Sequence, residues 1–409
     1  MVPFLESRFS VTLICAARGL HGGSRAQMEP IRSLHLNTAR SWRGGERQTL
    51  LLVEGLRRIG HDAAIVCPPE SPLARRALEA SIPVHQIPLR GELDLSSAIQ
   101  LRQLIQRFHP QILQLHTAHS HTIGLLARLG LGLHPGVIVQ RRVDFSIHRS
   151  GTPVLTDLKY QHGVQRYVAI SRKIAAVLEQ DGIKQDLIRV VHSGVSPLAD
   201  PLRSAAQVRD QLQLDASTPL LGSVGALQEH KGHVHLVQAM AQLRDRQPRA
   251  HLVLIGDGKL DESLRDSAQK LGIEERVHRV GFQEDVASWL SALDLYIHPS
   301  LEEGLGTSIL DALGAGRTVI ASDVGGIPEV IEDGVTGRLV AAANPALLAE
   351  AIDQMLDDPT TAARLAEAGK QRATSQFSAE AMVEGNIRVH RELLEELQSG
   401  ESIDEDVTR

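Results

Sequence analysis

Short apolar runs recur along the chain, each followed by a longer segment whose apolar positions return every three or four residues. "SLHLNTA" (33–39) reads as a strand, and "ERQTLLLVEGLRRIG" (46–60) as an amphipathic helix stopped by Gly60. "AAIVCPP" (63–69) is a second strand, closed by Pro68. "AIQLRQLIQRFHP", "ILQLHTAH", "VIVQRRV" and "RYVAIS" continue the alternation up to "IRVVHSGVSP" (188–197). After a polar hinge the pattern restarts with "LLGSVGAL" (220–227), "GHVHLVQAMAQLRDR" and "HLVLIGDG", then "RVHRVGF", "DLYIHPS" and "TVIASDV". Strands separated by helices predict parallel sheets covered on both faces. Two such sets predict an α/β protein of two Rossmann-like domains facing across a cleft. Its functional residues belong in the loops beyond the carboxyl ends of the strands.

Length agrees with that division, since 409 residues exceed what one hydrophobic core spans. The expected boundaries are an N-terminal extension over 1–30, a first domain over 31–198 and a second over 199–376. A helix over 377–396 crosses back to the first domain, and an acidic disordered tail covers 397–409. In the extension, "FLESRFSVTLICAARG" has Glu6 before its apolar stretch and Arg18 after it, a poor signal-peptide order. Met28, just before the first strand, reads as the true start. No apolar run reaches the roughly 20 residues of a membrane span. Cys15 and Cys67 are too few and too far apart for a disulfide framework, and they suit a reducing compartment.

Charge adds a direction. Residues 31–197 carry 21 Lys and Arg against 12 Asp and Glu, whereas 198–409 carry 19 against 35. A basic first half suits an anionic partner such as a membrane surface or phosphorylated lipid, or is a solvated basic face. Nothing in it indicates nucleic acid. Cytoplasmic location, with loose attachment to the inner membrane face, is the expectation.

The densest chemistry lies in "PSLEEGLGTSILDALGAG" (299–316). Gly304 and Gly306 bend the loop after a strand and deliver bare N–H groups to a helix start, where phosphate is favoured. Glu303 in the loop and Asp311 in the helix can accept hydrogen bonds from sugar hydroxyls. Phosphate on backbone and hydroxyls on acids is the chemistry of a nucleotide sugar. The plainer reading is an acidic helix with glycine-assisted packing.

The same stretch resembles the signature of the retaining GT-B glycosyltransferases called family four, whose two acids stand with seven residues between them. Here they are Glu303 and Asp311; the second is usually Glu, and its shorter replacement implies a weaker or water-bridged ribose contact. The resemblance implies that Lys231 in "GALQEHKGH" (225–233) binds diphosphate, without the arginine that many relatives have where Ala226 stands. It implies that Gly44 and Gly45 form a glycine loop at the cleft and that His116 faces the donor sugar. Phe282 would border the base, and Gly304, Leu305, Gly306 and Thr307 would hold phosphate through their backbone. Gly325 and Gly326 form a turn near the phosphates, with Glu329 structural. "HLNTARSWRGGE" and "RRVDF" suggest a bacterial envelope-polysaccharide subgroup.

The expected activity is transfer of a sugar from a nucleotide-sugar donor, a UDP-sugar on family frequency, to an envelope glycan or lipid-linked acceptor, with the acceptor on the first domain (31–198) and the nucleotide sugar on the second (199–376). His116, Lys231 and Glu303 are the expected catalytic set. No cofactor beyond the donor and no metal is expected. His116, His119 and His121, and the similar spacing in "HKGHVH", leave a metal reading open, and "DED" (404–406) only mimics a metal motif. A nucleotide-sugar epimerase of the same fold and a non-catalytic nucleotide-sugar scaffold are the alternatives.

Overall fold

The structure, a computed structural model, describes residues 29–92, 94–132, 134–149 and 159–407. The expected start at Met28 and nearly all of the extension lie outside them. In the first sheet the strands are β1 (Arg32–Leu36), β2 (Asp62–Cys67), β3 (Val84–Gln86), β4 (Ile112–Leu115), β5 (Gly136–Arg141), β6 (Arg166–Ala169) and β7 (Ile188–Val190). They lie in the order β3-β2-β1-β4-β5-β6-β7, and every pairing is parallel. The second sheet holds β8 (Leu220–Val224), β9 (His251–Ile255), β10 (Val277–Arg279), β11 (Leu295–His298), β12 (Thr318–Ser322) and β13 (Arg338–Val340). Its order is β10-β9-β8-β11-β12-β13, again all parallel.

Near-continuous apolar runs such as "AAIVC" and "TVIAS" suit strands buried on both faces, and almost every residue of β2, β5 and β12 is buried. In each sheet the chain reverses its direction of growth beside the first strand, between β1 and β4 and between β8 and β11. Loops after these strands open onto the crevice where such sheets bind ligands. The loops after β1, β4 and β5 supply one wall, and those after β8 and β11 the other.

Two segments join the domains and run together. Val195 and Ser378 form a parallel bridge, with Val195 N–H donating to Phe377 O and Ala379 N–H to Val195 O. Gln48 clamps the first segment: its Nε2 donates to Gly194 O and its Oε1 accepts from Gly194 N–H. The chain then enters helix Ala379–Val407, which lies on the first domain. Met382, Val383, Ile387 and Leu393 pack with Leu52, Val53 and Leu56 of helix Gly44–Arg58. Gly55 permits the approach, since a Cβ there would lie 2.3 Å from Val383 Cγ2.

This helix runs on to Val407, through most of the segment expected as a disordered tail. Leu397 follows Leu393 by one helical turn and is buried in the same apolar cluster. That stripe prolongs the helix past the point where composition turns acidic.

Several histidines are buried as neutral groups. Burial first, then the positive neighbours Lys159 and Arg141, pushes His121 down to about 3. Burial likewise brings His233 and His390 to about 3, with His298 and His61 respectively as the next causes. An unfolded histidine titrates near 6.5, so between about 3 and about 6.5 the unfolded chain binds more protons than the native one. Stability is therefore complete above that window and falls as pH drops through it. Urea unfolding at stepped pH should show this loss. Replacing the buried His121 by Phe should reduce the slope by about one proton. An unchanged slope would exclude His121 as a source.

Candidate active site

The loop after β11 carries the acid predicted to be central. Glu303 Oε2 accepts from Lys231 Nζ at 2.6 Å, His298 Nε2 at 2.8 Å and Ser300 Oγ at 3.3 Å. Burial opposes ionisation of Glu303, but Lys231 and His298 outweigh it and hold the carboxyl well below its usual range. Lys231 arrives from the turn Glu229–Lys231 after β8. The next residue, Gly232, has φ +64°, and a Cβ there would lie 2.0 Å from Pro299 O. This glycine lets the Lys231 turn sit directly on the Glu303 loop, as Leu301 N–H donating to His230 O at 2.8 Å confirms.

Gly306 then adopts φ +90° as the N-cap of helix Thr307–Gly314, with no side chain capping the helix. Bare amides at a helix start, plus the positive end of its dipole, make an anion cradle beside Lys231. The cradle faces a second helix start across the cleft. A Cβ on Gly44, the first residue of helix Gly44–Arg58, would lie 3.0 Å from Thr307 Oγ1.

Ion pairs and hydrogen bonds tie the walls together. Arg47 Nη1 donates to Asp311 Oδ2 at 2.5 Å, and Asp311 Oδ1 is buried with no partner among the described residues. Burial lowers the Arg47 guanidinium, yet Asp311 more than offsets this and raises it. Asp144, in the loop after β5, accepts from Glu303 N–H at 3.2 Å. A Cβ on Gly304 would lie 2.3 Å from the carbonyl oxygen of Arg142. From below, the Gly325–Gly326 turn supports the Glu303 loop, with Gly326 N–H donating to Glu303 O at 3.0 Å. Glu329 reaches the first domain, accepting from His192 Nε2 and from Lys173 N–H.

Two family models match the chain: "Glycosyltransferase Family 4" over residues 42–197 and "Glycosyl transferases group 1" over 204–372. Among curated proteins, the lipopolysaccharide core biosynthesis glycosyltransferase LpsE of Rhizobium meliloti is 31% identical over 245 residues, 60% of this chain and 69% of that protein. The chain belongs to the group 1 glycosyltransferases. An α-maltose-1-phosphate synthase of Mycobacterium tuberculosis is 33% identical over 226 residues, covering 51% of this chain and 57% of that one. The fold of this glycosyltransferase matches Anabaena HepE, solved with UDP and glucose, at TM-score 0.78 and 20% identity, over 88% of this chain and 99% of that one. It also matches WaaG, a glycosyltransferase involved in lipopolysaccharide biosynthesis, at TM-score 0.67 and 17% identity, over 87% and 98%. The two-domain GT-B architecture is thereby established.

Within the glycosyltransferase, Gly44, Gly45, Lys231, Glu303, Gly304, Leu305, Gly306, Thr307 and Asp311 all line or adjoin this cleft. Phe282 is half exposed in the loop after edge strand β10, next to Gly281, whose carbonyl oxygen accepts from Gly256 N–H at 2.9 Å. His116 sits at the cleft end of β4 but is buried, and both its ring nitrogens are engaged by protein. Arg142 Nη2 contacts His116 Nδ1 at 3.4 Å, and His116 Nε2 contacts His35 Nδ1 at 3.1 Å. His119 is on the surface, 3.9 Å from Glu92, while His121 is in the core against Tyr160. The three histidines thus point apart. No group of three or more His, Cys, Asp or Glu placed to hold a metal occurs among the described residues.

Arg47, Arg142 and Asp144 belong to the site and are missing from the sequence-level candidates. A guanidinium only donates, so His116 Nδ1 must be the acceptor. That fixes a proton on His116 Nε2, which donates to His35 Nδ1; His35 Nε2 in turn donates to Ser33 Oγ at 3.0 Å. Burial holds both histidines neutral, well below their ordinary value. Burial also lowers Arg142, to about 10 against the opposing pull of Glu46, so the guanidinium stays charged at neutral pH. Its Nε and Nη1 are buried and have no partner among the described residues.

Proposed function

We propose that this glycosyltransferase retains anomeric configuration, moving a sugar from a nucleotide-sugar donor to a cell-envelope glycan or lipid-linked acceptor. The observation that carries the donor reading is Lys231 and Glu303 at 2.6 Å beside the uncapped start of helix Thr307–Gly314. The helix amides and Lys231 would bind the diphosphate, and Asp311, with one buried oxygen unpartnered among the described residues, would accept from the ribose. UDP and UDP-glucose in the HepE structures favour a uridine diphosphate donor. LpsE and LpsD of Rhizobium meliloti, both lipopolysaccharide core biosynthesis glycosyltransferases similar to this chain, favour an envelope acceptor.

In this reading the acceptor hydroxyl attacks the anomeric carbon from the leaving-group side. The bond from that carbon to the phosphate oxygen breaks as the new bond to the acceptor oxygen forms. The departing phosphate takes the acceptor proton, and Lys231 and the helix start stabilise its developing charge. Closure of the two domains excludes water, the competing acceptor.

The test is a thermal-shift panel of UDP-, GDP-, ADP- and CMP-sugars, since a ligand bound only by the native state raises the melting temperature. Transfer from the best donor to an envelope extract follows, with the product anomer read by NMR. An inverted anomer would exclude the retaining mechanism, and no shift with any nucleotide would exclude the donor site.

Among the described residues no helix is long and apolar enough to cross a membrane. The excess of basic residues over 31–197 favours peripheral binding to an anionic surface. The protein is expected to sediment with phosphatidylglycerol-containing vesicles at low salt and to be released when the Debye length falls to about 3 Å near 1 M salt. Equal sedimentation at both salt concentrations would contradict an electrostatic attachment.

A further inference from the structure

A departing diphosphate gains negative charge as its bond to the sugar breaks, and the second domain has little free positive charge to meet it. Lys231 is already paired with the Glu303 carboxylate. The start of helix Thr307–Gly314 contributes about half an elementary charge. A further cation has to come from elsewhere, and the loop after β5 holds one that is otherwise hard to explain.

Arg142 lies where the two walls meet. Its Cδ is 3.8 Å from where a Cβ on Gly45 would stand, and its carbonyl oxygen abuts Gly304 of the phosphate loop. Two of its nitrogens, Nε and Nη1, are shielded from solvent and have no acceptor among the described residues. Buried guanidinium donors without partners are costly. An Nε with an adjacent Nη is also the pair that grips a phosphate through parallel hydrogen bonds. The third nitrogen, Nη2, is held by His116, whose tautomer is set through His35 and Ser33. The protein thus fixes one corner of the guanidinium and leaves the rest unsatisfied beside a phosphate cradle.

We infer that Arg142 is the first domain's cation for the donor diphosphate, presented by the buried chain Ser33–His35–His116. The inference rests on the donor site proposed above and adds to it a residue from the opposite wall. His116 is then a positioning residue: it acts on the phosphate through Arg142. Cleft closure and charge neutralisation become one event, because the diphosphate bridges the two domains.

The test is calorimetric titration of the whole protein with the nucleoside diphosphate that gives the largest thermal shift, and with the corresponding nucleoside. Arg142→Met is expected to weaken the diphosphate at least about tenfold while nucleoside affinity stays within about threefold. Diphosphate affinity within threefold of wild type would overturn the inference, as would a defect confined to the acceptor KM. Because loss of Arg142 leaves Glu46 without its neighbouring cation, a second pair of variants guards against misfolding. His116→Leu keeps the charge but frees the guanidinium, and should weaken the diphosphate; His116→Gln, whose amide oxygen can accept from Nη2, should restore most of the affinity. Equal affinities in wild type, His116→Leu and His116→Gln would overturn the positioning role. Failure of wild-type protein to bind any diphosphate would instead refute the donor site itself, and this inference with it.

Discussion

Lys231→Ala is expected to lower turnover by about 10²–10³ while leaving nucleoside affinity nearly unchanged. The amine supplies charge where the leaving phosphate develops it, and a contact that strengthens only in the transition state appears in kcat. The same substitution strips Glu303 of its strongest partner. Glu303 would keep His298 and Ser300 but lose the ion pair at 2.6 Å that sustains its ionised form. Removing one partner from a fully buried pair costs about 3–5 kcal/mol, and about 1–3 kcal/mol is reasonable here because the amine still touches solvent.

The two effects separate in a double variant. Lys231→Ala with Glu303→Gln removes the stranded charge and should recover part of the melting temperature without recovering turnover. The pH dependence has a definite sign. The folded Glu303 carboxyl is depressed, so its contribution to stability is present above the unfolded value of about 4.3 and is lost as pH falls below it. In Lys231→Ala that acid-side loss should shrink. Turnover within threefold of wild type would remove Lys231 from the mechanism, whatever happened to stability.

What the sequence reveals of this molecule follows from how local each feature is. The parallel sheets are legible because buried strands are uniformly apolar and their helices are striped. The Glu303–Thr307 loop is legible because its acid, its glycines and the helix it opens are adjacent in the chain. Arg142 is hidden because its meaning depends on β5 lying beside β4, which brings it to His116, and on the second domain bringing Gly304 against it. Asp311 shows the same limit: its acidity is visible, but its pairing with Arg47 spans 264 positions and two domains. In the last segment, acidic composition obscures a stripe that Leu393 and Leu397 continue. For His116, strand-end position marks it for the cleft, yet the His35 side chain from the neighbouring strand takes one of its nitrogens.

Gly304→Ala is expected to cut turnover by about a hundredfold with nucleotide still bound, since a misplacement of about 1 Å at reacting groups has that scale of effect. The backbone at Gly304 is not in the left-handed region, so alanine brings little intrinsic strain. The obstacle is the other domain: the new methyl carbon would lie 2.3 Å from the Arg142 carbonyl oxygen, where real contacts need about an ångström more. The carbonyl is backbone and the methyl carbon is fixed on Cα, so no side-chain rotation relieves the contact. The remaining relief is for the walls to part, which would also stretch the bond from Glu303 N–H to Asp144 at 3.2 Å. Lys231, Glu303 and the start of helix Thr307–Gly314 move together on the second domain, so they should still take the nucleotide. The acceptor's wall would then stand too far off for same-side attack. Small-angle scattering with bound nucleotide should report a larger radius of gyration for the variant than for wild type. Full turnover together with an unchanged radius would mean that the two walls need not meet at Gly304 for the reaction to proceed.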